Sequence, residues 1–303
     1  MRLRQVEYFL AVAEAGSITQ AAANLYLAQP SLSYQITTLE KELGGQLFER
    51  LPRGLRLTPA GRVFLVEAKR VIADVGRAKR SVQAVTDGAL GELEIATVTS
   101  LAVGVIPSVA RAWRRSHANV ALRLHEHSHS DRLEEGVQGG IGDFGFGPVP
   151  RRPMGEVVEV GTEEFVFVLP HDDPHATDRV INPADLQDRD WVLYDPAHGL
   201  SIVVNTVCSA FGFSPQVGVR TSQVETAARL AAAGLGPALL PANVIPANID
   251  AAVRPATRPL IRRLAAYSRS SMPAIVRSFV DELRSAEHGL KEYPTGRGEV
   301  LDL

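Results

Sequence analysis

The sequence predicts an α/β protein in three parts: a small helical head closed by a two-stranded wing, a long linking helix, and a two-lobed α/β domain. Three observations carry this. Short apolar runs at helical spacing fill residues 1–58, a heptad pattern occupies 59–88, and strand-like runs alternate with helical ones over 91–292. With 303 residues, 45% of them hydrophobic and 22% charged, the chain can bury several cores, which sets aside the disordered and fibrous classes. Cys208 is the single cysteine, a small buried hydrophobe by expectation, and no intramolecular disulfide can form, which fits a reducing, cytoplasmic setting. Arg2 and Arg4 are followed by a stretch broken at Glu7 and Glu14, so no signal peptide is expected. The most apolar region, 227–249, is interrupted by Arg229, Pro237, Pro241 and Pro246, so no membrane span is expected either.

In the head, Leu3, Val6, Phe9, Leu10 and Ala13 predict a first helix ending at Gly16. Ser17 with Gln20 has the form of a capping box and opens a second, in which Ala21, Ala22 and Leu25 face inward. Pro30 suits the first turn of a third, because its missing N–H would be unpaired there anyway. Leu32, Ile36, Leu39 and Leu43 form that helix's apolar stripe. Pro30, Tyr34, Thr37, Thr38 and Lys41 lie opposite, flanked by Ser31 and Ser33. Short hydroxyls, an aromatic and a lysine suit base edges and phosphates, although an ordinary solvated face would look the same.

The context separates the two readings. Two short helices across a tight turn, then GGQLFERLPRGLRLTPAG, predict a winged helix-turn-helix with Arg50, Arg53 and Arg56 on or beside the wing. Residues 1–90 hold 12 Lys and Arg against 8 Asp and Glu, a charge of +4, while the rest carries -6, so a polyanion is expected at this end. The run from Arg2 to Gly61, with QPSLS, LEKELG, LFER and LTPAG, resembles the N-terminal domain of LysR-type transcriptional regulators over nearly every position. The resemblance implies that Gln29, Pro30, Ser33, Tyr34, Thr37 and Thr38 read DNA, with Arg53 in the wing. This chain departs from the family pattern twice. Ala28 stands where the family often has a capping serine, and Tyr34 where arginine is common, so the base met by Tyr34 cannot be inferred from relatives.

Thr58-Pro59 opens the linking helix. Phe64, Ala68, Val71, Val75, Ala78, Val82 and Val85 alternate steps of four and three, a heptad seam with the basic residues off it. A dimer seam is expected, with packing against the following domain as the alternative. LysR-type proteins resemble this too, with a linker helix that pairs two chains.

From 91 onward, ELEIATV, VALRLHEHS, EFVFVLP, WVLY, QVGVRT, GPALLPA and RRLAAYSR read as strands with helices between most of them, such as 101–113 and 224–233. Mainly parallel sheets are expected. The resemblance continues through GELEIATVTSLAVGVIPSVARAW and VRTSQVETAARLAAAGLGPALLP, which look like the family's effector-binding domain, similar in fold to periplasmic solute-binding proteins. It implies lobe I over about 91–161 and 268–292 and lobe II over 162–267, with crossings near Gly161 to Glu164 and near Tyr267. The last residues, 293–303, are expected to be a loose tail.

A small organic anion in the interlobe cleft would meet helix starts. Thr99, Ser100, Thr221, Ser222 and His198 precede or open such helices, although Ser and Thr cap helices whatever the function. The positions of Glu126 and Ser128 match a segment that lines the family's cleft, which points to Ser128 and His129 as effector contacts. His125, His127 and His129 alternate in the manner of a metal site, but the spacing suits a surface strand and no further ligand is evident, so no metal is expected. Gly140-Ile-Gly142-Asp-Phe-Gly145 fits a dinucleotide fingerprint only on paper, because Pro148 and Pro150 preclude the helix that must follow. No hydrolase, P-loop or zincin string is present. The sequence therefore predicts a regulator without cofactor or enzyme activity, a homodimer or homotetramer that binds double-stranded promoter DNA and answers to a small-molecule effector.

Overall fold

The computed structural model describes residues 1–51, 54–86, 91–153, 155–285, 290–291 and 301–303, with backbone only at 80, 81, 83–86 and 302. Arg53 lies outside the described residues, as does the side chain of Val85. The chain divides into one unit over Met1–Gly91 with Gln138–Gly140 and another over Glu92–Val137 and Ile141–Leu303.

In the first unit, α1 (Leu3–Ala15), α2 (Ile18–Asn24) and α3 (Gln29–Leu43) bury Val6, Phe9, Val12, Ala21, Ala22, Leu32, Ile36 and Leu39 in one core. Left-handed glycines, Gly16 at φ 61° and Gly44 at φ 72°, end α1 and α3, since only a residue without Cβ enters that region freely. Ser17 Oγ accepts from Gln20 N–H at 3.4 Å, but the Gln20 amide donates to Asn24 instead, so only half of the expected capping box forms. Leu43 is 43% exposed, so the buried stripe of α3 stops at Leu39.

The wing is an antiparallel pair, β1 (Phe48–Leu51) with β2 (Gly54–Leu57). It is fastened to α4 (Pro59–Thr86) by Thr58, whose hydroxyl donates to Gln46 O and accepts from Gly61 N–H. A Cβ at Gly61 would lie 2.0 Å from Leu47 O, which is the physical reason for glycine in the LTPAG run. Two residues of the expected dimer seam belong to the head's own core: Ala68 is 1% exposed, and the Phe64 ring meets Phe9 edge-on at 4.8 Å. Leu65 and Ile72 pack on the same core, because the first turns of α4 lie along α1. Farther along, Val71 and Val82 are exposed, Val82 at 66%, with Ala78 exposed and Val75 half-buried.

The second unit has two cores. A mixed sheet in the order β4 (Ala121–His127), β3 (Glu92–Val98), β5 (Phe144–Pro148), β10 (Ala252–Tyr267), β6 (Val157–Leu169), β9 (Ala238–Pro241) runs through both, with β11 (Leu301–Asp302) also on β10. The β3–β4 and β3–β5 pairs are parallel, but β10 lies antiparallel to β5 and β6, and β6 to β9. The expectation of mainly parallel sheets is corrected accordingly. Lobe I adds α5 (Thr99–Gly104), α6 (Ile106–Trp113), α7 (Ser130–Gln138) and α10 (Ala274–Leu283). Lobe II adds β7 (Asp190–Tyr194) parallel to β8 (Gln216–Thr221), with α8 (Gly199–Ala210) and α9 (Val224–Ala232).

The cores separate between Val160 and Phe165 on β6 and between Leu260 and Leu264 on β10. Leu264 to Tyr267 thus pack in lobe I, and the second crossing falls near Arg262 rather than Tyr267. Strand β10 begins ten residues before the run read as a strand at Arg262, because Pro255 and Pro259 read as breakers; a register shift between Pro255 and Leu260 accommodates them. Leu301 and Leu303 pack on the lobe II core, which corrects the expected loose tail at those residues, and 293–300 lie outside the described residues.

Candidate functional site

The head presents its candidate DNA-reading residues on one side of α3. Gln29, Pro30, Ser31, Tyr34 and Thr37 are exposed, Tyr34 at 69%, opposite buried Leu32, Ile36 and Leu39. Ser33 and Thr38 are half-buried, and Thr38 donates its hydroxyl to Tyr34 O at 2.8 Å. That hydroxyl hydrogen is therefore spent inside the helix, which leaves Thr38 an acceptor and a methyl group for a neighbour. Ala28 is the N-cap with extended geometry and no side-chain bond to the first turn, so the alanine leaves an orphan N–H where a serine would satisfy it. In the wing, Arg50 is exposed, and Arg56 Nε donates to Glu49 Oε1 at 2.7 Å across the pair Glu49 and Arg56. That bond lowers the Glu49 pKa and raises that of Arg56. Tyr26, in the turn before α3, escaped the sequence reading. It is 97% exposed at φ 55°, a left-handed conformation uncommon for a bulky residue.

In the second unit a cavity of about 150 Å³ lies between the lobes. Thr99 and Ser100 from the start of α5, Ser128 and His129 after β4, and His198 before α8 all line it. Thr221 and Ser222 are not among the lining residues: Thr221 Oγ1 accepts from Gln223 N–H at 3.1 Å, and Ser222 is exposed, so they serve the start of α9. Thr99 spends its hydroxyl hydrogen on His127 O. The lobes are joined beside the cavity, where Gly199 N–H donates to Ser128 O at 2.8 Å. A Cβ on Gly199 would lie 3.2 Å from both Ser128 O and His129 Cα, closer than side chains ordinarily come.

His198 is 5% exposed and stacked on Tyr194 at 5.0 Å. Its Nδ1 accepts from Leu200 N–H, so the neutral ring carries its proton on Nε2, which is buried without a partner. Burial lowers its pKa, which keeps the ring neutral near pH 7. His198 is thus a neutral N–H donor with capacity to spare.

Arg262 and Tyr267 also line the cavity, and the sequence reading missed both. Arg262 sits opposite Glu163 in the β10–β6 register and donates from Nε to Glu163 Oε1 at 2.6 Å. Its Nη2 approaches the same oxygen as an ion-pair contact without hydrogen-bond alignment. Asn243 donates to Glu163 Oε2 at 3.1 Å, and the guanidinium lies 5.2 Å from the Phe165 ring centroid. The visible signal was an arginine within an apolar strand run, which reads equally well as an edge charge. No group able to hold a metal occurs among the described residues. His125 instead meets Glu94 at 3.2 Å, and His129 Nδ1 accepts from Asp131 N–H.

Comparison with known proteins fixes the family. Residues 3–62 match the family described as bacterial regulatory helix-turn-helix protein, lysR family, and residues 86–287 match the LysR substrate binding domain. The chain is a LysR-type transcriptional regulator. Among its relatives is the HTH-type transcriptional regulator TcbR of a Pseudomonas species, 30% identical over 94% of this chain and 98% of that one. The transcriptional dual regulator GltC of Bacillus subtilis is 32% identical over 80% of this chain and 81% of its own. Among solved structures, full-length CbnR complexed with its target DNA aligns with a TM-score of 0.68 at 27% identity, covering 94% of this chain and 99% of that one. The regulator thus joins the family's DNA-binding head to its substrate-binding domain, and no helix among the described residues is long and apolar enough to cross a membrane.

Proposed function

We propose that the regulator, as a cytoplasmic homodimer or homotetramer without enzymatic activity, binds a promoter operator through α3 and the wing and changes its grip when a small organic anion enters the interlobe cleft. The exposed row Gln29, Pro30, Ser31, Tyr34 and Thr37, held by the buried stripe behind it, carries the first half. Such a row lies in a major groove, Ser33 and Thr38 reach it as flanking contacts, and Arg50, Arg53 and Arg56 meet phosphates or the minor groove. CbnR has been solved in complex with its target DNA, which supports the same use of this head. The exposed stripe Val71, Ala78 and Val82 on α4 supports pairing of two chains, with half-buried Val75 on the same seam.

The unpaired Nε2–H of His198 carries the second half. Arg262 is balanced by Glu163, so the cleft offers neutral donors: His198 and the hydroxyls of Ser100 and Ser128, with His129 and Thr99 beside them. These suit the oxygens of a small carboxylate. An effector acts by binding one arrangement of the oligomer better than another.

Mobility shift of a fragment upstream of the regulator's own gene tests the DNA half. Tyr34→Ala weakens specific retardation, and Arg50→Ala lowers the salt slope by about one unit. Binding indifferent to salt would overturn the wing assignment. A thermal-shift panel of small carboxylates and their amides on the full chain tests the cleft. A true effector at about 100 times its Kd stabilises by about 2.7 kcal/mol, and His198→Ala abolishes that response.

A further inference from the structure

The two connections between the lobes, β6 at Gly161 to Glu164 and β10 at Ile261 to Arg263, are not a bare two-stranded hinge. On the outer edge of β6, Lys291 pairs with Thr162: Thr162 N–H donates to Lys291 O at 2.8 Å, Lys291 N–H to Thr162 O at 3.2 Å, and Lys291 Nζ meets Glu164 at 2.8 Å. On the opposite edge of β10, beyond the point where β5 leaves it, Leu301 and Asp302 pair in parallel with Leu260 and Ile261, and Leu303 N–H donates to Ile261 O at 3.0 Å. Leu290, just before Lys291, is buried in the lobe I core, whereas Leu301 and Leu303 pack on the lobe II core. Leu303 also lines the interlobe cavity.

We propose that the C-terminal tripeptide Leu301-Asp302-Leu303 is a latch: a tethered strand that adds to β10 at the hinge, ties lobe II to the lobe I end of the chain, and closes one side of the cleft. The edge of β10 at Leu260 and Ile261 would otherwise present unpaired backbone groups, which is the kind of edge an added strand satisfies. Because the tripeptide and β10 belong to one chain, its docking is intramolecular and needs little intrinsic affinity, and its release loosens the hinge. The latch rests on backbone pairing and apolar packing, so it stands whether or not the cleft takes an anion.

Hydrogen exchange followed by mass spectrometry on the full chain tests it, beside a chain ending at Val300 and the variant Leu301→Asp/Leu303→Asp. In the intact chain the C-terminal amides exchange about tenfold or more slower than a free peptide of that sequence. In both altered chains, the segments 157–169 and 252–267 exchange faster, whereas β3 is unchanged. Free Leu-Asp-Leu at millimolar concentration restores part of the protection to the shortened chain. Free-peptide exchange of the terminus in the unaltered protein would overturn the latch, a result that does not depend on either variant folding. Unchanged hinge exchange in well-folded variants would overturn it equally.

Discussion

Removing the charge of Glu163 leaves a guanidinium buried at the lobe crossing. The side chains of Arg262 and Glu163 are 8% and 2% exposed, and Glu163 also receives Asn243, so neither charge reaches solvent for compensation. Glu163→Gln keeps the shape and abolishes the counter-charge. Breaking a buried pair in this way costs about 3–5 kcal/mol. For a domain of roughly 200 residues each kcal/mol lowers Tm by about 2–4 °C, which gives a fall of about 10 °C. The assay is thermal unfolding of the full chain followed by tryptophan fluorescence. Both tryptophans of the sequence, Trp113 and Trp191, are buried in the second unit, so the signal reports that unit alone. The double variant Glu163→Leu/Arg262→Met removes both charges together and returns to within a few degrees of the parent, because a buried pair and an apolar replacement are close in stability. A fall under about 2 °C for Glu163→Gln, or a double variant as unstable as the single one, would refute the reasoning.

Ala28→Ser supplies the missing cap of α3 and stabilises the head by about 1 kcal/mol, read from its unfolding midpoint by circular dichroism. Gly61→Ala drives a methyl into Leu47 O and loosens the wing, so operator affinity in a mobility shift falls at least as far as for Arg50→Ala. His127 and His198 both have pKa values lowered by burial below the ordinary 6.5. The unfolded chain therefore takes up protons first as pH falls through 6.5, and the second unit is fully stabilised above that pH and loses stability below it. Denaturant midpoints at pH 7.5 and 5.5 measure this, and His198→Asn flattens the difference. Gly199→Ala strains the Ser128–Gly199 contact, and exchange of the Gly199 region quickens as the lobes part.

The head was legible because its signals are local. Caps at Ser17, the proline at Pro30, the stripe of Leu32, Ile36 and Leu39, and the Thr58-Pro59 start each act within one or two helical turns, so residue spacing alone fixes them. Even there, spacing overreached at Leu43, which lies past the last packing partner, and at Phe64 and Ala68, where a heptad pattern has the same period whether the stripe meets another chain or α1.

The cleft was legible only in part. Thr99, Ser100, Ser128, His129 and His198 line it, whereas Thr221 and Ser222, of the same residue types at the same kind of helix start, do not. Local sequence specifies a capping hydroxyl but not which helix starts converge across two lobes. Arg262 and Leu303 reach the cavity through the long-range register of β10 with β6 and β11. The sequence by itself determined the family, the third helix with its buried stripe and exposed opposite face, and the alternation of strands and helices, because each rests on neighbours along the chain. Only the tertiary structure decided where the lobes divide, which hydroxyls meet, why Arg262 can be buried and where Leu301 and Leu303 pack, because these depend on pairings between residues far apart in sequence.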